Sequence, residues 1–332
     1  MRHSVLLTTI FLVANTASAH HSSIGFDQEQ VVSVKGTVTR YRYRSPHVYL
    51  YVEDASNDEW QLELASPQLM TRLGWTADSF APGDRVSVRA NPDRNAAKAH
   101  GMILSVERAD GVILVSKSPG VPRTGDPDAV ASTSDLGGIW RGEQSFVYAL
   151  FAALEDHPLT EKGNTAKTEY EERMNPVVDC VPFPTPFIVG ANYTYLNELV
   201  LEGDVIQFKS EFYNTERVIY MDGREHPENG ERTNQGHSIG YWDEDTLVVD
   251  TTLFTQSRAP FPGIGIPSGT QKHVVERYTL TEDGTRAMIN TRTEDPEYLA
   301  EPLLADFVWR YSPHLQMLRY DCDPETARRF TE

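Results

Sequence analysis

His226 and His237, with acidic, cationic and phenolic residues nearby in the sequence, could carry proton transfer near neutral pH or could bind a metal. They sit in Arg217-Val218-Ile219-Tyr220-Met221-Asp222-Gly223-Arg224-Glu225-His226-Pro227 and Gly236-His237-Ser238-Ile239-Gly240-Tyr241-Trp242. As a strand, Arg217 and Ile219 face one side while Val218 and Tyr220 face the other. Asp222-Gly223 then turns the chain, leaving the two histidines on loops at either end of the intervening stretch. Arg217, Tyr220, Asp222, His226 and His237 are therefore the candidate catalytic set. Ordinary turn chemistry also explains Asp-Gly and His-Pro, and no nucleophile stands beside a base at a recognisable spacing.

A different chemistry is offered at the start of the chain. A leader ending Ala17-Ser18-Ala19 is followed by His20 and His21. Cleavage after Ala19 would give His20 a free α-amine, and that amine with its own ring nitrogen can chelate a metal. A second imidazole then completes a nitrogen set that suits copper(II). His21, His47 in Ser45-Pro46-His47, and His100 are the candidate partners; the metal set is His20, His21 and His47, with copper as the expected ion. The alternative is a frayed, solvated terminus with incidental histidines.

A third candidate is a site for a small, partly apolar molecule. Tyr193, Tyr195, Phe208, Phe212, Tyr241, Trp242, Tyr278, Trp309 and Tyr311 all fall on predicted strands. A barrel lined by aromatics and a few polar groups can hold such a ligand, for which Trp242, Tyr241, Tyr278, Trp309 and Glu276 are the expected contacts. Glu276-Arg277 and Glu294-Asp295 could form solvated cross-strand pairs or point into the barrel; the surface reading is expected for Arg292 and Glu294, and Glu276 stays open.

These residues need elements to position them. The leader has a cationic start at Arg2 and His3, an apolar run from Val5 to Val13 and a small-residue cleavage site, which is the pattern of a secretory signal. The run is only about nine residues, short of the roughly 20 that span a bilayer. Residues 1–19 read as a cleaved signal peptide, with the periplasm as destination and no transmembrane span after it. The chain carries 48 acidic against 30 basic residues, a net charge of −18, which argues against a nucleic-acid partner. Its two cysteines, Cys180 and Cys322, are expected to pair in an exported protein. That bridge would close a loop long enough to stabilise the fold by roughly 4–5 kcal/mol in chain-entropy terms; two separate buried thiols are the alternative.

The fold class is mainly β, in two domains. Residues 20–116 read as an OB-like five-stranded barrel. Alternation marks Val31 to Tyr43, His47 to Val52, Glu59 to Leu64, Arg85 to Arg89 and Met102 to Glu107 as strands. A short helix follows Ser66-Pro67 and ends at Gly74, between strands three and four, as in an OB-fold. Residues 117–134, rich in Pro, Gly, Ser and Asp, read as a linker. Residues 135–332 predict at least eight short strands joined mostly by hairpins, the last pairing Phe307 to Tyr311 with Met317 to Tyr320. They make a lipocalin-like antiparallel up-and-down barrel or a sandwich. Phe146 to Leu154 and Glu161 to Met174 are expected helices.

Several of these stretches resemble known sequences. His20-His21-Ser22, Lys35-Gly36-Thr37-Val38, Ser45-Pro46-His47, Leu73-Gly74-Trp75 and Pro82-Gly83-Asp84 resemble DUF6152, a family of uncharacterised exported bacterial proteins. That family commonly shows Asn-Pro-His where this chain has Ser45-Pro46-His47. The second domain is similar to another uncharacterised exported group, through Arg217 to Pro227, Gly236 to Trp242 and Asp245 to Thr251. The resemblance implies the domain division and no reaction. The leading expectation is thus a periplasmic binding protein, with a small-molecule ligand in the second barrel and copper at His20. The competing expectations are an enzyme (lyase, hydratase or hydrolase) at the mouth of that barrel, and an assembly protein of the envelope.

Overall fold

The computed structural model describes residues 25–116, 130–143, 154, 156–190, 194–258 and 265–328. The first barrel is built from β1 (Val32–Arg42), β2 (Tyr49–Asp54), β3 (Glu59–Glu63), β4 (Arg85–Pro92) and β5 (His100–Arg108), with β6 (Ile113–Val115) added as a hairpin on β5. Sheet order β3-β2-β1-β4-β5 closes through a parallel β3–β5 pairing, so the OB-like reading holds. Helix α1 (Pro67–Arg72) lies between β3 and β4; Ser66 caps it by accepting from the Leu69 amide, and Pro67 starts it. Val38, Leu50, Leu62, Met70, Trp75 and Val88 fill the core. Gly36 lets β1 coil tightly over β2, where a Cβ would fall 2.0 Å from the Glu53 carbonyl oxygen.

Nine strands form the second barrel. They are β7 (Gly138–Gly142), β8 (Leu196–Glu202), β9 (Val205–Ser210), β10 (Thr215–Tyr220), β11 (His237–Asp243), β12 (Thr246–Thr252), β13 (His273–Leu280), β14 (Arg286–Glu294) and β15 (Leu303–Tyr311). The barrel closes in the order β10-β11-β12-β13-β14-β15-β7-β8-β9, which settles barrel against sandwich. The expectation of a purely antiparallel barrel needs correction, because β10 and β11 pair in parallel, Ile219 with Ser238 and Tyr220 with Ile239. The connection through residues 221–236 carries the chain back to the starting end of its neighbour, as a parallel step requires.

Two further expectations change. Met317 to Tyr320 form no strand; side chains take up that segment's backbone groups instead. The Asn214 amide donates to the Tyr320 carbonyl at 2.7 Å and accepts from the Tyr320 N–H at 2.8 Å, while Glu211 accepts from the Leu318 N–H at 2.6 Å. The stretch from Glu161 is helical only through Thr168 (α2), capped by Thr160, with a short 3-10 turn at Glu172–Met174. The helix expected over 146–154 falls almost wholly outside the described residues.

Residues 183–190 fill the second barrel. Phe187, Ile188, Val189 and Gly190 form a single buried turn, α3 (Phe187–Gly190). The Val189 carbonyl accepts from the Trp309 indole N–H at 3.0 Å. The closing segment, ending in α4 (Pro324–Arg328), binds the first barrel to the second. Ser45 exchanges backbone hydrogen bonds with Asp321 and Asp323 at 3.1 and 3.0 Å, and Gln68 donates to the Arg319 carbonyl at 3.0 Å. Arg42 grips Glu325 at 2.9 Å, and Arg72 pairs with the buried Glu211 carboxylate. The Cys180–Cys322 disulfide forms as expected and anchors that segment to the second barrel. No helix among the described residues is long and apolar enough to cross a membrane. Gly36→Ala should lower stability by about 1–3 kcal/mol through overpacking against rigid backbone, readable in a urea denaturation midpoint.

Candidate functional site

Alternation along four consecutive strands decides what faces out. Arg217 and Ile219 of β10 are buried and Tyr220 is half-buried on the other face; Leu247, Val249 and Thr251 of β12 point inward and Asp250 outward; Val274, Glu276 and Tyr278 of β13 point inward and His273 outward. Register places Ile239 of β11 opposite Asp250, and His273 opposite Glu294. Tyr220, His237, Asp250 and His273 therefore line up across the outer wall, each from a different strand. His226 arrives from the loop between β10 and β11.

The contacts form a continuous chain. His237 Nδ1 lies 2.8 Å from His226 Nδ1, His226 Nε2 lies 3.0 Å from Asp250 Oδ1, and His273 Nε2 lies 2.9 Å from Asp250 Oδ2. An ionised carboxylate only accepts, so both Nε2 atoms facing Asp250 carry hydrogen. With His226 neutral, its Nδ1 accepts and His237 Nδ1 must donate. The remaining lone pair of His237 is then on Nε2. Burial, with the nearby His226 and Arg224, pushes the His237 pKa down, which keeps the ring neutral at pH 7. The hydrogen bond to Asp250 raises that of His273 against the opposing effect of burial. Burial would raise the Asp250 pKa, but His273 and His226 outweigh it and lower it. Tyr220 stacks on His237 with ring centroids 5.3 Å apart. The Arg224 guanidinium covers the Tyr220 ring at 3.8 Å.

His237 and Tyr220 also line a cleft of about 320 Å³ beside β10, walled by Pro227, Glu231, Thr233 and Leu253. A larger groove of about 580 Å³ lies beside α2, lined by Glu161, Lys162, Glu169, Arg258 and Tyr298, with Lys162 held by Glu297 at 2.5 Å. Among the described residues, no group of three or more His, Cys, Asp and Glu side chains is placed to hold one metal ion.

The structure divides the sequence-predicted residues. Tyr220, His226 and His237 come together. Asp222 stays one step away, ion-paired with Arg224 at 2.5 Å, and that pairing lowers its pKa to about 2. Arg217 is on the opposite face, inside the barrel, where it meets Glu276 at 2.7 Å and Thr185 at 3.0 Å. Tyr278 donates to Glu276 at 2.9 Å, and Lys272 donates to the Thr185 carbonyl at 2.8 Å. The five expected ligand contacts do not converge on one cavity. Tyr278, Trp309 and Glu276 are fully buried in packed surroundings, with Trp309 against Tyr278 and Phe208, whereas Tyr241 and Trp242 are exposed on the outside. His20, His21 and Tyr193 lie outside the described residues. His47 binds a carboxylate, its Nδ1 2.5 Å from Glu63 Oε1. Burial alone would raise the Glu63 pKa, but His47 and His100 pull it down to about 2.

Asp250 and His273 were not among the predicted site residues. The available signal was Asp250 itself, an acid at the outward position of Leu247-Val248-Val249-Asp250-Thr251, two strands from Tyr220.

Fold and site together define a two-barrel β protein with an OB-like first barrel and a histidine–carboxylate chain on the wall of the second. Residues 9–103 match the family of unknown function DUF6152, in agreement with the resemblance of the N-terminal domain. No curated protein matches the chain. A solved structure, asparaginyl-tRNA synthetase from Pyrococcus horikoshii complexed with asparaginyl-adenylate, is 12% identical over 76% of this chain and 50% of that one, with a TM-score of 0.20. The chain thus spans half the length of that protein, and at this score the likeness carries no structural argument.

Two outcomes follow from the buried and outer halves of the wall. Glu276→Gln should cost about 3–5 kcal/mol in chemical denaturation by leaving Arg217 charged and buried. The His273–Asp250 contact stabilises fully below the ordinary histidine pKa and fades as pH rises through the raised pKa of His273; Asp250's share fades only in acid below its own lowered pKa. The stability gap between wild type and His273→Gln, at most about 1 kcal/mol for so exposed a pair, should therefore be widest near pH 5–6 and shrink above pH 7.

Proposed function

We propose that the second barrel is an acid–base site acting on a small polar molecule bound in the cleft beside β10, with His237 as general base. The observation that carries this reading is the unbroken contact chain His237–His226–Asp250–His273 ending at an open cleft. Asp250 fixes the tautomer of His226, His226 fixes that of His237, and the lone pair of His237 is left for a substrate proton or for water. Tyr220 orients the ring by stacking, and the Arg224 guanidinium, paired with Asp222, covers the Tyr220 ring. The reaction class is hydration, elimination or hydrolysis, all of which need proton removal by a neutral base. The leader and the Cys180–Cys322 disulfide support action in the periplasm.

A binding role within the lumen has less support, since the interior aromatics pack on one another and on α3. Hydrolysis of 4-nitrophenyl acetate probes for an activated imidazole. The wild-type protein should accelerate it, with a rate rising through a pKa below the ordinary histidine value. His237→Asn should lower the rate about 100-fold and Asp250→Asn about tenfold. A rate unchanged in His237→Asn, in a protein of normal thermal stability, contradicts the assignment.

A further inference from the structure

One edge of β10 is left largely open. β9 pairs with β10 from Thr215 to Tyr220 without a break, whereas β11 meets it only at Ile219 and Tyr220. The backbone groups of an unbroken antiparallel strand point alternately to its two neighbours. Alternate residues from Thr215 to Val218 therefore turn N–H and C=O toward the side that β11 has left. No backbone group among the described residues takes them up.

The chain that would close this gap is held away from it. Thr233 donates its N–H to the Leu253 carbonyl at 3.1 Å, and the side-chain amides of Asn234 and Gln235 donate to the Pro182 and Phe183 carbonyls at 2.7 and 2.8 Å. Residues 233–235 are thus tied to the end of β12 and to the segment that leads into the lumen, and the cleft of about 320 Å³ lies between them and β10. Val218 presents an apolar surface there, 42% exposed, with Leu253 and Pro227 in the walls. A preformed slot along a free strand edge suits an extended peptide. Its backbone supplies the missing partners, and its alternate side chains meet the walls.

Charge then selects among peptides. Glu216 and Glu231 bring exposed carboxylates to the cleft, and neither is ion-paired among the described residues. The arginine of the lining, Arg217, is already paired with Glu276 inside the barrel. Lys209 stands opposite Glu216 on β9 but also opposite Glu198 on β8, so that part of the wall is net negative. We propose that the free edge of β10 docks a short extended peptide carrying a basic side chain, which lies along Thr215–Val218 and reaches His237 at one end. The inference rests on the reading of this cleft as the substrate site, and it names the substrate class.

The test is a titration of nitrogen-15-labelled protein with blocked tripeptides, read from backbone amide shifts. The probes are acetyl-Lys-Val-Lys-amide, acetyl-Glu-Val-Glu-amide, and the basic peptide N-methylated either at its valine or at both lysines. The basic peptide should bind with a Kd below about 1 mM and shift the amides of residues 215–218. The acidic peptide should bind about tenfold more weakly or worse. One of the two N-methylated forms should also lose about tenfold, because only one set of amides faces the strand edge. Glu216→Gln/Glu231→Gln, both at exposed positions, should weaken the basic peptide about five- to tenfold at low salt, and the loss should shrink at high salt. Equal affinity for the basic and acidic peptides overturns the proposal. So does binding indifferent to both N-methylations, the behaviour of a site for a plain amine, or the absence of shifts at residues 215–218 at about 10 mM peptide. The titration reads binding without turnover, so it can fail while the acetate assay succeeds, or succeed while that assay fails.

Discussion

Arg217 and Glu276 bring opposite charges into a closed barrel at 2.7 Å, with both side chains essentially inaccessible to solvent. Each ion loses several kcal/mol of hydration on burial, which their mutual attraction and the hydrogen bonds around them must offset. Tyr278 donates to Glu276, and Thr185 accepts from Arg217 and itself donates to Gln235 at 3.0 Å. Lys272 donates to the Thr185 carbonyl, and burial lowers its pKa to about 7 despite Asp295 and Glu276. The network ties β10, β13, the filling segment and the loop before β11 to one point.

That point is directly behind the candidate site. β10 and β13 are the first and last of the four strands that carry Tyr220, His237, Asp250 and His273, and the buried pair joins them across the lumen. β10 is joined to β11 through only two residue pairs, so its end depends on this interior clamp for its position. A rigid inner face gives the outer face a fixed spacing, which a proton-transfer chain requires to within fractions of an ångström. The buried pair thus positions the strands that carry the outer chain.

Much of this was legible in the residues. Strand alternation placed Arg217 and Tyr220 on opposite faces, the order of strands and helix identified the OB-like barrel, and an expectation of export led to pairing Cys180 with Cys322. Three features were not. The parallel β10–β11 step was hidden because periodicity tells which way a side chain points and not which strand it neighbours. Asp250 and His273 were missed for the same reason, since only register across β11, β12 and β13 sets them beside His226. The filling of the lumen by residues 183–190 was also unreadable, because Phe183-Pro184-Thr185-Pro186-Phe187 has no period that announces where it packs. Glu276 and Tyr278 then looked like ligand contacts, whereas their partner is Arg217.

The central claim is that Asp250, through His226, holds His237 as a neutral base with its lone pair on Nε2. Long-range nitrogen–proton NMR of the imidazole rings in uniformly nitrogen-15-labelled protein reads tautomer and charge directly. The account predicts His237 in the Nδ1–H form at pH 7, titrating below the ordinary histidine value, and switching to a mixture of tautomers in Asp250→Asn. A protonated His237 at pH 7, or an Nε2–H tautomer in the wild type, would contradict it.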